Sequence, residues 1–276
     1  MKKFINYNGN IYEQGQPVLT VADHSYRYGD GLFETMKMIK GDILFEEFHF
    51  ERLFSGIKVL KFTIPDLFTR QKIGEEIKML CKKNKYKELA RVRLSVSRGN
   101  GGLYDCNNKF SYGIECWPLE KNEDDINSNG LVIGVFPDAR KSIDVFSNLK
   151  SANYLPYVMA AIWAKENKLN DALILNQHGR ICDATIANVF WTKNGKIYTP
   201  PLSEGCVAGI MRRQVLNAAP EISESILTEE DLRNADEVFL TNVIKGIRWV
   251  KQYGDKVYSN SFTYKIFADL NRTISL

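Results

Sequence analysis

The sequence predicts an α+β protein of two domains, and three features of the chain support this fold class. Residues 90–97 alternate, with Val92, Leu94 and Val96 on one face, which is typical of a strand. Apolar residues recur at helical spacing in residues 50–60 and 73–80. Residues 118–130 are rich in Glu, Asp, Asn and Lys, as interdomain linkers often are. We therefore predict a small α+β domain over residues 1–117, a linker over 118–130 and a larger strand-rich domain over 131–276.

The first domain is expected to open with a hairpin, because Asn8-Gly9 separates two short apolar runs and readily adopts the positive φ angles of a type I′ turn. Strands are predicted at residues 32–39 and 43–45. Two helices are predicted next, separated by a break at Pro65. Strands at 90–97 and 111–117 complete this domain.

The second domain is expected to begin with a strand at 131–136 and a helix over 154–168. Short strands are then predicted at 172–175, 181–182, 186–191 and 196–198. A helix follows over 208–218, and strands at 237–240 and 247–252 precede a closing helix. This order places Lys150 in a loop between a strand and a helix, and Asp183 at the end of a short strand.

Composition excludes several classes of protein. The 276 residues carry 37 basic and 33 acidic side chains, for a net charge of +4 spread along the chain, so nucleic acid is not the expected partner. The beginning of the chain does not resemble a signal peptide, and no apolar run approaches the ~20 residues that span a bilayer. We therefore expect a cytoplasmic protein with no membrane association.

The cysteines and histidines do not form a recognisable metal or disulfide pattern. Three histidines, His24, His49 and His178, share no close spacing with cysteine, so no metal site is predicted. The five cysteines are odd in number and never form Cys-x-x-Cys, so we expect them to be reduced and mostly packed in the core. They are Cys81, Cys106, Cys116, Cys182 and Cys206. Nucleophile-elbow and P-loop motifs are also absent from the sequence.

Three features are compatible with catalysis or anion binding, although each has an ordinary structural explanation. A loop lysine such as Lys150 can lose its proton and form an imine with an aldehyde, yet most lysines are solvated surface residues. Asp183 alone would more often be a turn or cap residue. The glycine-flanked start of the helix over 208–218 would present backbone amides to an anion, and Arg52 could reach the same anion. From its spacing alone, Arg52 is better explained as a surface charge.

Taken together, short motifs along nearly the whole chain give it a clear resemblance. The chain resembles the class IV aminotransferases, the group of D-amino-acid and branched-chain transaminases that also contains 4-amino-4-deoxychorismate lyase. The matching segments, in family order, are Tyr28-Gly29-Asp30-Gly31-Leu32-Phe33-Glu34-Thr35, His49-Phe50-Glu51-Arg52-Leu53, Leu149-Lys150-Ser151, residues 183–190, Pro200-Pro201-Leu202, Gly209-Ile210-Met211-Arg212 and Ala235-Asp236-Glu237-Val238-Phe239.

The resemblance implies a two-domain fold type IV enzyme with a small α/β sandwich domain and a larger barrel-like domain. It also implies pyridoxal 5′-phosphate linked to Lys150, the catalytic residue. By the same analogy Arg52 and the amides of Ile210 and Met211 hold the phosphate, and Tyr154 lies near the ring hydroxyl. The remaining implied cofactor-binding residues are Asp183, Asn188, Thr241 and Asn242.

Two positions depart from the family pattern. Asp183 stands where family members have a glutamate that pairs with the pyridine nitrogen, and its side chain is one methylene shorter. Either carboxylate can keep that nitrogen protonated, so that the ring acts as an electron sink. Val243 stands where relatives usually have a hydroxyl near the phosphate, and backbone from residues 241–243 is a possible substitute.

The resemblance leaves two reactions open for a small-molecule amino substrate. A 4-amino-4-deoxychorismate lyase, an enzyme of folate biosynthesis, releases pyruvate and p-aminobenzoate, whereas a branched-chain or D-amino-acid transaminase returns the same proton to the cofactor. Residues 97–102 and 185–191 look more like the lyase, and the Pro-Arg-x-His clamp of D-amino-acid transaminases is absent. A non-catalytic cofactor-binding protein is a third, less favoured reading, because Lys150 and the acid at 183 are both present.

Three basic residues are candidates for binding substrate carboxylates, with structural or surface roles equally open for each: Arg27, Arg98 and Lys245. By analogy with the family, we also expect a homodimer.

Overall fold

The chain divides into two compact units. The computed structural model describes residues 2–104, 110–120 and 126–273, with side chains described up to residue 270. The first unit comprises Met1–Asn122 and Leu149–Asn153, and the second comprises Glu123–Asn148 and Tyr154–Leu276. The division falls within the predicted linker over 118–130. The five residues around Lys150, however, group with the first unit, although the sequence assigned them to the domain over 131–276.

A six-stranded antiparallel sheet forms the centre of the first unit, in the order β2-β1-β6-β5-β3-β4. Its elements are β1 (Phe4–Tyr7), β2 (Asn10–Glu13), α1 (His24–Tyr28), β3 (Gly31–Ile39), β4 (Asp42–Ile43), α2 (Glu46–Val59), α3 (Arg70–Lys83), β5 (Leu89–Ser97) and β6 (Ser111–Pro118).

The predicted hairpin at the start of the chain is confirmed. Asn8 and Gly9 join β1 to β2 with φ angles of 50° and 82°, and the Gly9 amide donates to Asn6 Oδ1 at 2.9 Å. Both central residues of a type I′ turn need positive φ, which asparagine and glycine tolerate best. The register pairs Tyr7 with Asn10, as a two-residue turn requires.

The short helix α1 was not predicted from the sequence. Its N-cap is Asp23, whose side chain accepts a hydrogen bond from the Ser25 amide at 2.8 Å, and its C-cap is Gly29 with φ 67°. These are the residue types that begin and end helices. The helix has only five residues, which is too short for a periodic apolar pattern to reveal it.

The core of the first unit lies on one face of the sheet, beneath α2 and α3. Alternation in β3 and β5 directs their apolar side chains toward this face, and each fully buried one contributes about 1.5–3 kcal/mol. The core includes Leu32, Met36, Val92, Leu94, Val96, Phe50, Leu53, Ile57, Ile73, Ile77 and Leu80. The opposite face of the sheet therefore carries Phe33, Thr35, Arg93 and Ser95.

The second unit contains a mixed nine-stranded sheet in the order β12-β11-β10-β13-β14-β7-β8-β9, with β15 paired to β14. Its elements are β7 (Leu131–Lys141), α4 (Leu155–Glu166), β8 (Asp171–Asn176), β9 (Ile181–Ala184), β10 (Asn188–Lys193), β11 (Lys196–Thr199), α5 (Ile210–Ala218), β12 (Ser223–Glu224), α6 (Glu229–Arg233), β13 (Glu237–Asn242), β14 (Gly246–Tyr253), β15 (Lys256–Val257) and α7 (Ser261–Thr273).

Both faces of this larger sheet are covered near β8. Leu173 and Leu175 pack into one apolar cluster, whereas Ala172 and Ile174 pack into another that includes Tyr157 and Ala160 of α4. Burial on both faces explains why residues 172–175 of β8 are all apolar rather than alternating. The predicted α+β class, with a strand-rich second half, is confirmed.

Four cysteines fall within the described residues, and all four are buried free thiols, as expected: Cys81, Cys116, Cys182 and Cys206. Cys106 lies outside the described residues. Among the helices that the structure describes, none has the length and apolar character that a membrane span requires.

Candidate active site

Lys150 lies in the loop between β7 and α4, as predicted, and backbone contacts fix this loop to the edge of β3. The Phe33 amide donates to the Lys150 carbonyl at 2.9 Å, and the Ala152 amide donates to the Gly31 carbonyl at 2.8 Å. Ser151 forms a bridge with Leu32 between these bonds. The backbone around Lys150 is thus paired with β3 although the loop is otherwise irregular.

The Phe33 side chain brings together two cationic groups of the first unit. Lys150 Nζ lies 4.7 Å from the centroid of the Phe33 ring, and Arg93 Cζ lies 3.8 Å from the same centroid. Both distances suit attraction between a cation and an aromatic face. Arg93 was not among the predicted site residues, although the alternation of β5 already placed it on the face opposite the core.

A buried ionic cluster surrounds Arg52. Arg52 donates from Nε to Glu34 Oε1 at 2.8 Å and from Nη2 to Glu34 Oε2 at 2.6 Å, while His49 Nδ1 contacts the same Oε2 at 2.6 Å. The exposed fraction of the Arg52 side chain is 14%, so the surface interpretation of this arginine is wrong. This bidentate geometry fixes the plane of the guanidinium group.

The charges of this cluster follow from its burial. Burial alone would raise the pKa of Glu34, but Arg52 and then His49 outweigh it and hold that pKa at about 2. Burial lowers the pKa of His49 in spite of its bond to Glu34. At neutral pH the cluster therefore contains a carboxylate, a guanidinium and a neutral imidazole.

In the second unit, Asp183 lies near the end of β9, as predicted, with an exposed fraction of only 2%. Its Oδ2 accepts hydrogen bonds from Lys141 Nζ at 3.1 Å, from Tyr157 Oη at 2.8 Å and from the Val207 amide at 3.0 Å. Its Oδ1 accepts from Asn188 Nδ2 at 3.0 Å. These contacts show a fixed buried carboxylate rather than an ordinary turn or cap residue.

Tyr154 and Tyr157 lie beside this carboxylate at the start of α4. Their rings stack with centroids 4.2 Å apart, and Tyr154 Oη donates to the Thr185 carbonyl at 2.9 Å. Burial, followed by the charge of Asp183, raises the pKa of Tyr157 well above its ordinary value. Tyr157 therefore remains protonated and donates to Asp183 at neutral pH.

The start of α5 has the properties of an anion site. Gly209 is the N-cap and has no side chain to satisfy the first amides of the helix, which include those of Ile210 and Met211. A Cβ at position 209 would lie 1.8 Å from Asn188 Oδ1, so glycine is needed for close packing here. Within the described residues, the buried Thr241 Oγ1 has no hydrogen-bond partner. A phosphate fits this set of donors.

The other predicted residues have contacts that are mainly structural. Arg98 forms a bidentate pair with Asp30 at 2.6 and 3.1 Å, and Arg27 donates to the carbonyls of Val21 and Gly101. Asn242 Oδ1 accepts from the Ile244 and Lys245 amides and so stabilises the turn before β14. The Lys245 side chain is exposed.

Comparison with known proteins supports the same chemistry. Residues 31–253 match the family described as Amino-transferase class IV. The chain belongs to the class IV aminotransferases. This is a family of pyridoxal phosphate-dependent enzymes, so the predicted enzyme class and fold type IV are confirmed.

Two relatives and one solved structure illustrate the range of the family. A Methanocaldococcus jannaschii protein, provisionally named a branched-chain-amino-acid aminotransferase, is 31% identical over 93% of this chain and 90% of its own length. The Bacillus subtilis aminodeoxychorismate lyase is 30% identical over 87% of this chain and 83% of its own. The branched-chain aminotransferase of Thermoproteus uzoniensis superposes with a TM-score of 0.88 at 23% identity, over 99% of this chain and 94% of that one.

Proposed function

We propose that this class IV enzyme is a 4-amino-4-deoxychorismate lyase that binds pyridoxal 5′-phosphate and releases pyruvate and p-aminobenzoate. The observation that carries the proposal is the placement of Phe33, Arg93 and Lys150 in one cluster. The substrate of this lyase has an unsaturated six-membered ring and two carboxylates. An aromatic face flanked by a guanidinium offers both kinds of contact that such a molecule needs.

The residues of each unit fit the proposed cofactor. In the first unit, Lys150 would provide the amine that holds it covalently, and Arg52, oriented by Glu34, would donate to its phosphate. In the second unit, the first amides of α5 and Thr241 Oγ1 would be donors for the same group. Asp183, fixed by Asn188, is the acid proposed for the pyridine nitrogen. The chemistry that pyridoxal phosphate supplies when bound is the withdrawal of electrons from the carbon next to the substrate nitrogen.

The role proposed for Lys150 is to move a proton. Its uncharged Nζ would accept the proton from C4 of the substrate ring, and the backbone bonds of its loop limit the positions that Nζ can reach. Loss of the neighbouring enolpyruvyl ether then yields pyruvate and an aromatic product. Arg93 is proposed to bind a substrate carboxylate and so to orient C4 toward Nζ.

A transaminase is the second candidate, because the Methanocaldococcus relative carries a branched-chain aminotransferase name at slightly higher identity. The same Lys150 would then return the proton to the cofactor rather than permit elimination. The residues proposed for the cofactor serve both reactions equally. The residues that contact the substrate must therefore determine which of the two reactions occurs.

The deciding experiment compares substrates on pure protein. Aminodeoxychorismate is supplied alone, and L- and D-amino acids are supplied separately with 2-oxoglutarate. Release of pyruvate with p-aminobenzoate, without keto-acid formation from amino acids, supports the lyase, and the reverse pattern refutes it. Lys150→Ala should lose both activity and the visible absorption band of the bound cofactor, whereas the exposed control Lys165→Ala should keep both.

A homodimer is supported by an apolar stripe on α4. One side of this helix packs into the second unit through Tyr157, Ala160 and Ala164. The other side exposes four large apolar residues at helical spacing, namely Leu155, Val158, Met159 and Ile162, with exposed fractions of 44–66%. Contiguous exposed apolar surface of this kind marks protein interfaces.

A further inference from the structure

The four hydrogen bonds to Asp183 are unevenly divided between its two oxygens. Oδ2 accepts three, from Lys141, Tyr157 and the Val207 amide, whereas Oδ1 accepts one, from Asn188. An ionised carboxylate offers about four lone-pair sites, two on each oxygen. Three donors already exceed the two sites of Oδ2, so it can accept no further bond, whereas Oδ1 retains room for one more donor.

Lys141 is the only one of the four donors with a positive charge. Its side chain is 11% exposed, and its Nζ also lies 5.4 Å from the centroid of the Tyr157 ring. Lys141 ends β7 and pairs with Asn176 of β8 beyond an irregularity in the strand register between Val135 and Arg140. The sequence neighbours of Lys141 give no sign of this role, because its partner is 42 residues away.

We infer that Lys141 is a positioning residue that holds Asp183 by Oδ2 and directs Oδ1 toward the ring nitrogen of the cofactor. The inference rests on the proposed cofactor and concerns this chain in particular, because aspartate replaces the longer glutamate of the family. Lys141, Tyr157 and Val207 hold one oxygen of this shorter carboxylate, and the other oxygen keeps an acceptor site.

The positive charge of Lys141 has a second consequence. It partly compensates the negative charge of Asp183, so the carboxylate stabilises a proton on the ring nitrogen less than an unpaired carboxylate would. Removal of the charge should therefore strengthen proton binding at the ring nitrogen. If Asp183 did not face the ring nitrogen, removal of the charge would leave proton binding there nearly unchanged.

The test uses full-length protein loaded with pyridoxal phosphate that carries ¹⁵N in the pyridine ring. The ¹⁵N chemical shift, which reports protonation of the ring nitrogen, is followed against pH in wild type, Lys141→Met and Lys141→Arg. We expect the ring nitrogen of Lys141→Met to bind its proton at least tenfold more tightly than that of wild type. Lys141→Arg, which keeps the charge, should follow the wild-type profile.

A matched control is Lys251→Met, which removes an exposed lysine from β14 of the same unit and should not change the profile. Identical profiles in wild type and Lys141→Met would overturn the inference while leaving the proposed function intact. If Lys141→Met does not fold, Lys141→Gln gives the same comparison, because it also removes the charge. Failure of wild type to bind the cofactor at all would refute both proposals.

Discussion

Replacement of Glu34 by glutamine should destabilise the first unit in a way that depends on pH. Wild-type Glu34 receives two bonds from Arg52 and one from His49, so both of its oxygens act as acceptors. In Glu34→Gln one of these oxygens becomes an NH₂ group that faces a donor, and the guanidinium loses its counter-charge. Removal of one partner from a buried ion pair typically costs about 3–5 kcal/mol.

The pKa of Glu34 gives a second estimate of this cost. A shift from the ordinary value of 4.5 to about 2 corresponds to roughly 3 kcal/mol of folding free energy at neutral pH. Because the folded-state pKa is depressed, this stabilisation is complete above pH 4.5 and is lost as the pH falls toward about 2. By pH 3 about 2 kcal/mol of it should be lost.

The assay is urea unfolding of the cofactor-free protein between pH 3 and pH 7. We expect the difference in unfolding free energy between wild type and Glu34→Gln to be about 3 kcal/mol at pH 7 and to narrow by about 2 kcal/mol at pH 3. Glu88→Gln, at an exposed position of the same unit, serves as the control and should stay within about 0.5 kcal/mol of wild type. A difference that does not vary with pH would refute the assignment of the charge to Glu34.

Three further predictions concern the second unit. Gly209→Ala should weaken pyridoxal phosphate binding at least tenfold in a fluorescence titration, because the added Cβ would lie 1.8 Å from Asn188 Oδ1. The control Gly113→Ala, whose added Cβ would have no neighbouring atom outside the adjacent residues closer than 3.8 Å, should bind the cofactor normally. Equal affinities of the two variants would contradict the proposed phosphate site. Val158→Glu should shift the protein toward a monomer in gel filtration, because it places a charge in the exposed apolar stripe of α4. The control Lys165→Glu, at an exposed position of the same helix, should not change the elution volume. A Val158→Glu protein that remains a dimer would exclude the α4 stripe as the interface. Glu237→Gln should lower the unfolding free energy by about 1–3 kcal/mol, because the Glu237 carboxylate accepts hydrogen bonds from the Phe262 and Thr263 amides at the start of α7. An unchanged midpoint of thermal unfolding would show that these hydrogen bonds do not contribute to stability.

The sequence was informative where one residue type and its local position suffice. Lys150 and Asp183 were singled out by the family motifs that surround them, because their local positions alone fit a surface lysine and a turn residue equally well. The hairpin at Asn8-Gly9 was found because its turn chemistry is local. In the hairpin the deciding interactions lie within a few residues of the chain.

The residues that the sequence did not reveal depend on contacts between distant segments. Glu34 and His49 meet because α2 packs on β3, although they are 15 positions apart in the chain. Arg93 reaches Phe33 because β3 and β5 pair in one register, and Lys141 reaches Asp183 across 42 residues. Periodicity predicted the side of the sheet on which Arg93 lies, but no rule of sequence spacing predicts that it contacts the Phe33 ring.

The two buried carboxylates, Glu34 and Asp183, differ in whether their hydrogen-bond partners leave an acceptor site unused. Glu34 is matched by the bidentate Arg52, and its effect is to fix the orientation of that guanidinium. Asp183 is matched by Lys141 through one oxygen only, so its other oxygen keeps an acceptor site. On the proposed function both arrangements would hold the cofactor, and they would serve a lyase and a transaminase equally. On the same proposal the choice between the reactions depends on the groups near Lys150. We therefore expect substitution of Phe33 or Arg93 to change substrate preference without loss of the cofactor.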